Sequence, residues 1–279
     1  MLNSSYFGKI GLIAGCGNLP IQIARYISQN DQNLTVVVFH AEYLEHYLPF
    51  TSEVGCFSVG QVGAIFNFLR AHRVSNLVFA GAVQRPDFQN ISDLLKVDLV
   101  GAKLLAKIVT RKYKGDDALL SVLYDTCRSN GFEILSPLSI MPQPILNTQS
   151  PLHKSHMMNI KIGAYTLRAL GKCDVGQSIV VYEQRVLGIE AAEGTDALIE
   201  RCAKLRQGGV GGVMVKMMKE NQNPMMDPPV IGVNTVRQMQ RYGYDGIAVQ
   251  KDKVIILDVH EILNQLDDRF FLNILDDTE

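Results

Sequence analysis

The sequence predicts an α/β protein in two parts, a parallel-sheet domain followed by a mixed α/β domain. Short β-branched runs alternate with helical spacing through the first half, prolines gather near the middle, and the second half mixes hairpin signals with helices. The 279 residues suffice for two modest cores.

The elements follow in order. Residues 9–14 are a short apolar run that ends in Gly15-Cys16-Gly17-Asn18. Residues 19–29 have helical spacing through Ile21, Ala24 and Ile27. Residues 34–39 (LTVVVF) read as a buried strand, with a weaker strand around 56–59. A helix over 62–72 carries Ile65, Phe66 and Leu69 on one face, and a strand over 76–80 (NLVFA) closes at Gly81. Such alternation requires a parallel sheet with right-handed crossovers, a Rossmann-like arrangement. Residues 91–109 are apolar at helical spacing. Residues 117–129 form a further helix, with Asp116 as its N-cap and Asn130-Gly131 as its stop. Residues 132–135 are the last strand of this half.

Pro137, Pro142, Pro144 and Pro151 mark a linker. The chain thus divides into a Rossmann-like domain over 1–140, a proline-rich linker over 141–151 and a mixed α/β catalytic domain over 152–279. In the second domain a helix over 153–170 stops at Gly171, and strands over 178–182 and 186–191 flank Glu183-Gln184-Arg185 as a hairpin. A helix over 197–205, a strand over 212–215 and a helix over 235–242 follow. Runs at 246–250 and 254–257 read as a second hairpin around Lys251-Asp252-Lys253.

Composition excludes several classes. Lys plus Arg number 27 against 28 Asp plus Glu, so the basic excess of a nucleic-acid binder is absent. The five cysteines are scattered and contain no C-x-x-C pair, which fits reduced thiols in cytosol rather than disulfides or zinc. The N-terminal stretch lacks the pattern of a signal peptide, and no apolar run approaches the roughly 18 residues that span a bilayer. A lipid substrate would therefore be met at the membrane surface.

The polar and glycine-rich strings fall at predicted strand ends. Gly15, Gly17 and Asn18 sit between a strand and a helix, where backbone N–H groups and the helix dipole suit an anion; a tight connecting turn explains the same residues. A dinucleotide fingerprint is incomplete, because Pro20 takes the third glycine position and His40 stands where an acid is expected. Gln61 in Gly60-Gln61-Val62-Gly63, and Gly81, Arg85 and Asp87 in GAVQRPD, make a polar rim. In the second half, Glu190, Glu193, Thr195 and Asp196 cluster at a strand end, as helix-start acids or as carboxylates for Mg²⁺. Lys216 ends a glycine-led strand, either solvated or set to neutralise a phosphate. Asp227 precedes two prolines in a loop flanked by Met217, Met218, Met225 and Met226, which fill core gaps or contact an acyl chain. His153 and His156 lack a partner cluster and are read as non-ligands.

The ordered strings GLIAGCGNLP, VGQVG, GAVQRPD, GDDALL, DVGQSIVV, EGTDALIERCAKLR, GGVMVK, DPPVIGVNT and GIAV run from Gly11 to Val249. Together they resemble the LpxI family of UDP-2,3-diacylglucosamine hydrolases. The resemblance implies a two-domain cytoplasmic enzyme with an interdomain cleft, peripheral on the cytoplasmic face of the inner membrane. It implies cleavage of UDP-2,3-diacylglucosamine by water into UMP and 2,3-diacylglucosamine 1-phosphate for lipid A, with Mg²⁺ as cofactor; a homodimer is compatible with it. Asp227 matches the family's essential aspartate in a D-[L]-P-x-x-G motif, although Met225 and Met226 replace a basic and aromatic pair and Pro228 replaces leucine. On this reading Asp227, Asp196 and Lys216 are catalytic, and Asp227, Asp196 and Glu193 hold the metal. Gly15, Gly17, Asn18, Gln61, Gly81, Arg85, Asp87 and Thr195 bind substrate. Two rivals are a nucleotide-sugar oxidoreductase and a non-catalytic carrier of UDP-acylglucosamine. The Glu-rich box of Nudix hydrolases is absent, as is the Gly-Asn-His-Glu run of calcineurin-like phosphoesterases.

Overall fold

The computed structural model describes residues 8–30, 32–83, 96–110, 116–141, 152–220 and 222–276. The chain separates into two compact units. Unit 1 comprises Met1–Met141 and Asn223–Asp227; unit 2 comprises Pro142–Gln222 and Pro228–Glu279. The sequence reading ran the second domain unbroken over 152–279, whereas the contacts assign Asn223–Asp227 to unit 1.

Unit 1 is built on β1 (Ile10–Ala14), β2 (Leu34–Val38), β3 (Val54–Cys56), β4 (Asn76–Ala80) and β5 (Glu133–Ile134). These form one parallel sheet in the order β3-β2-β1-β4-β5, with the strand order reversing between β1 and β4. Every residue of β1 and β2 is buried, the condition of a sheet covered on both faces, which is why LTVVV reads as a continuous apolar run. The described helices are α1 (Leu19–Gln29), α2 (Leu44–Tyr47), α3 (Val62–Ala71), α4 (Leu99–Val109), α5 (Asp116–Ser129) and α6 (Pro137–Ile140). The helix expected over 91–109 is described only from Leu99; Lys96 to Asp98 precede it, and 91–95 lie outside the described residues.

One carboxylate organises two of these helices. Asp98 Oδ1 accepts the Gly101 N–H at 2.8 Å and caps α4, while Oδ2 accepts the Ala64 N–H at 3.0 Å and caps α3. The glycines around it follow from close approach. A Cβ on Gly101 would lie 2.1 Å from Gly60 O, and one on Gly60 would lie 2.8 Å from Val97 Cγ2. The Gly60-Gln61-Val62-Gly63 string therefore has a packing reason of its own. We expect Asp98→Ala to lower stability by about 2 kcal/mol, roughly one per lost cap, read as a reduced urea midpoint; an unchanged midpoint would refute the double cap.

Unit 2 contains β6 (Ser178–Tyr182), β7 (Arg185–Ile189), β8 (Val213–Lys216), β10 (Gly246–Gln250) and β12 (Phe271–Leu275), in the order β12-β10-β8-β6-β7. The first three in that order are parallel, and β6 runs antiparallel to both β8 and β7. A small parallel pair, β9 (Val230–Ile231) and β11 (Ile255–Ile256), stands apart. On one sheet face α7 (Lys154–Gly171) packs Ile160, Ala164 and Leu167 against Ile179, Val181, Val213 and Val215. On the other, α8 (Thr195–Leu205) and α9 (Val233–Arg241) pack Leu198, Ile199, Val236 and Met239 against Val180, Met214, Ile247 and Val249. A short α10 (Val259–Gln265) follows β11.

The β6–β7 hairpin forms as expected, with Glu183 and Gln184 both at positive φ in its turn. The second expected hairpin does not. β10 lies between β8 and β12, and the 254–257 run supplies β11, which pairs with β9. Two apolar runs around a polar turn look the same whether the chain folds back or enters another sheet. Among the described residues no helix is long and apolar enough to cross a membrane.

Candidate functional site

At the carboxyl ends of the unit 1 strands lies a small open pocket lined by Gly15, Cys16, His40, Tyr43, Ala82 and Val83 among others. Its floor is a backbone clamp. Gly15 N–H donates to Ala80 O at 2.8 Å, Cys16 N–H to Ala82 O at 2.7 Å, and Ala82 N–H to Cys16 O at 3.1 Å. A Cβ on Gly15 would come within 2.5 Å of Ala82 O, and one on Gly81 within 2.5 Å of Cys16 O. Both glycines are thus required by main-chain contact, and the Gly15 and Cys16 amides are already engaged. Gly17 and Asn18 are exposed at the start of α1, but Pro20 removes one first-turn donor. Gln61 caps its own turn, its Oε1 accepting the Ser58 N–H at 2.8 Å. Tyr43 OH donates to Cys16 Sγ at 3.6 Å; that bond, with burial and nearby charge, holds its pKa above the ordinary 10.0. Arg85 and Asp87 lie outside the described residues.

Asp227 is exposed at the end of a turn anchored in unit 1. Met226 is 4 % exposed and packs in the cluster of Ile13, Val37, Phe66 and Phe132. Ser136 Oγ donates to Pro224 O at 2.7 Å, and Met226 N–H donates to Asn223 O at 3.1 Å. Met226 therefore fills a core, as does Met217 beneath the unit 2 sheet, while Met225 stays exposed. The aspartate sits beside an apolar anchor that fixes its backbone.

The densest polar cluster is in unit 2, at the carboxyl end of β8. Lys216 is 5 % exposed, and its Nζ donates to Thr195 Oγ1 at 2.9 Å. Thr195 Oγ1 in turn donates to Glu190 Oε1 at 2.8 Å. Ser178 faces Lys216 across the antiparallel β6–β8 pair, so both side chains leave the sheet on one face. Ser178 Oγ and Glu190 Oε2 are buried with no hydrogen-bond partner. Thr195 opens α8 on Gly194 at φ 81°, and no side chain caps that helix. A buried ammonium beside an uncapped helix N-terminus can stabilise a phosphoryl group. Sequence reasoning found Lys216 and Thr195 and noted Glu190 in their cluster, but it passed over Ser178, whose only signal was its place in DVGQSIVV.

The expected metal ligands fare unequally. Glu193 Oε1 accepts from Arg201 Nη2 at 2.7 Å and its Oε2 from the Ala191 N–H at 3.1 Å. Backbone hydrogen bonding and the Arg201 contact hold its pKa below 4.5. A cation at Glu193 would have to share the carboxylate with these two donors. Asp196, in unit 2, and Asp227, in unit 1, each present an exposed carboxylate, which suits a hard cation that keeps most of its water. Among the described residues no group of three or more His, Cys, Asp or Glu forms a metal cluster.

This is a two-unit α/β protein whose second unit carries a buried lysine hydrogen-bonded through Thr195 to Glu190 at a strand end. Family models describe it directly: the LpxI N-terminal domain matches residues 9–144 and the LpxI C-terminal domain residues 143–272. A relative from Caulobacter vibrioides, named UDP-2,3-diacylglucosamine pyrophosphatase LpxI, is 35 % identical over 274 residues, covering 93 % of this chain and 94 % of the relative. The chain belongs to the LpxI family. We expect Ser178→Ala to raise stability by about 1 kcal/mol, because it removes a buried hydroxyl without a partner; a lower unfolding midpoint would show that the hydroxyl is satisfied.

Proposed function

We propose that this protein hydrolyses the pyrophosphate bond of UDP-2,3-diacylglucosamine, releasing UMP and 2,3-diacylglucosamine 1-phosphate for lipid A synthesis. The observation that carries the reading is the near full-length identity to a relative bearing that name. The chemistry of the site supports it. A diphosphate is anionic and repels its nucleophile, so catalysis is mostly positioning and charge neutralisation. Lys216 and the open start of α8 supply positive potential where little water dilutes it. Asp227, held by the Met226 anchor, supplies a carboxylate from a fixed loop. Mg²⁺ belongs to the proposal, as an ion that would neutralise phosphate charge; Asp227 and Asp196, each an exposed carboxylate in its own unit, are the candidate ligands.

The oxidoreductase rival loses support despite a strand order suited to dinucleotides. The first-turn amides are engaged, Pro20 blocks the fingerprint, and His40 stands after β2 in place of an acid. Incubation of the purified protein with UDP-2,3-diacylglucosamine and Mg²⁺ is expected to release UMP. Asp227→Ala is expected to fold and to lose roughly 10²–10³ in rate. Intact substrate recovered by mass spectrometry would favour the carrier reading, and full turnover after exhaustive chelation would remove the metal from the proposal.

The reading includes contact with the cytoplasmic face of the inner membrane, since the substrate is a lipid. Support comes from α4, where Leu99 is 83 % and Val109 68 % exposed and Lys103 and Lys107 point to solvent. No acid occurs within Leu99–Val109, so this helix itself presents apolar and basic groups together. The protein is expected to sediment with vesicles containing phosphatidylglycerol more than with phosphatidylcholine alone, and Lys103→Glu with Lys107→Glu should abolish the difference. Equal sedimentation with both vesicles would reject α4 as the contact.

A further inference from the structure

We propose that Glu190 is a positioning residue for Lys216, acting through the hydroxyl of Thr195. The proposal rests on the hydrolase reading for its catalytic consequence, but its geometry stands on its own. An ammonium has donors only, so Thr195 Oγ1 must accept from Lys216 Nζ across their 2.9 Å contact. The single hydroxyl proton then has one use, the bond to Glu190 Oε1 at 2.8 Å. The direction of the line is fixed from cation through hydroxyl to carboxylate, and each member polarises the next.

Glu190 is itself immobilised. Its N–H donates to Ser178 O at 2.8 Å, and Gly176 packs so tightly that a Cβ there would come within 1.7 Å of Glu190 O. This explains the glycine in Asp174-Val175-Gly176-Gln177: the turn must lie flat on the end of β7. The Glu190 backbone therefore cannot move away from Thr195 without moving the β6–β7 hairpin, and its side chain is held by the Thr195 bond. Its other oxygen, Oε2, is buried with no partner. A lysine side chain has a long flexible stem whose freedom is lost when it grips an anion. Holding Lys216 in place beforehand removes that loss from the binding and transition-state steps.

The test measures two quantities on the full-length protein, UMP release and the affinity for inorganic pyrophosphate by calorimetry, for the wild type, Lys216→Met, Thr195→Val, Thr195→Ser, Glu190→Gln and the Thr195→Val/Glu190→Gln double variant. Lys216→Met should abolish pyrophosphate binding. Thr195→Val and Glu190→Gln should each weaken binding and lower kcat/KM by about tenfold, with the double variant no worse than either single one, because the pair acts as one unit. Thr195→Ser keeps the hydroxyl and should restore both quantities. Wild-type binding and turnover in folded Glu190→Gln, losses that multiply in the double variant, or no recovery with serine would each overturn the relay. A wild type that binds pyrophosphate but releases no UMP would defeat the hydrolase reading and leave the relay to be decided by the binding series.

Discussion

Burying the Lys216 ammonium is the constraint on which the unit 2 site depends. At 5 % exposure the charge has lost most of its water, so its surroundings must replace that solvation. The line through Thr195 to Glu190 provides part of the replacement, and it makes three elements answer to one another. β8 brings the lysine, the start of α8 brings the threonine, and the end of β7 brings the glutamate. The sheet order places these ends together, because β6 is antiparallel to β8 and hands the chain to β7 at the same edge. A change in that register would separate the lysine from its counter-charge.

Unit 1 solves a different problem at its strand ends. The Cys16–Ala82 bridge closes the switch point between β1 and β4 with main-chain bonds, and Gly15 and Gly81 are there because any side chain would collide with a carbonyl. The Gly15 and Cys16 amides are thereby engaged by main-chain carbonyls. Among the described residues what remains is a pocket lined by His40 and Tyr43 together with apolar neighbours such as Phe39 and Val59. Glycine-rich turns of one sequence pattern can thus serve two ends, and the local sequence does not say which.

That ambiguity marks the limit of what could be read beforehand. The buried strands of unit 1 were legible because β-branched runs such as LTVVV have no alternative home, and β4 over Asn76–Ala80 falls where its pattern placed it. Lys216 and Thr195 were legible because charged or hydroxylated residues at strand and helix ends stand out against apolar neighbours. Ser178 did not stand out, since a serine at the start of an apolar strand looks like an edge residue until its cross-strand partner is known. Glu190 and Glu193 look alike in the sequence; their partners, Thr195 for the first and Arg201 with the Ala191 amide for the second, distinguish them only in the fold. The pairing of β11 with β9 depends on a contact between residues 25 positions apart, such as Ile255 and Val230, which no local period encodes.

Asp227 carries this argument furthest. In sequence it lies among unit 2 elements, after β8 and before β9, yet the five residues from Asn223 to Asp227 pack with unit 1. Met226 explains why: a flexible apolar side chain inserted among Ile13, Val37 and Phe132 holds the turn to that core. The chain then returns to unit 2 at Pro228, and Pro229 O accepts the Ile255 N–H at 2.8 Å, which fixes the far side. Asp227 is therefore flanked in sequence by Met226, packed within unit 1, and by Pro228 and Pro229, of which the second is hydrogen-bonded within unit 2, and the prolines limit the backbone after it. Of the positions where the chain departs from the pattern it resembles, Met226 packs in the unit 1 core, whereas the carboxylate next to it is exposed.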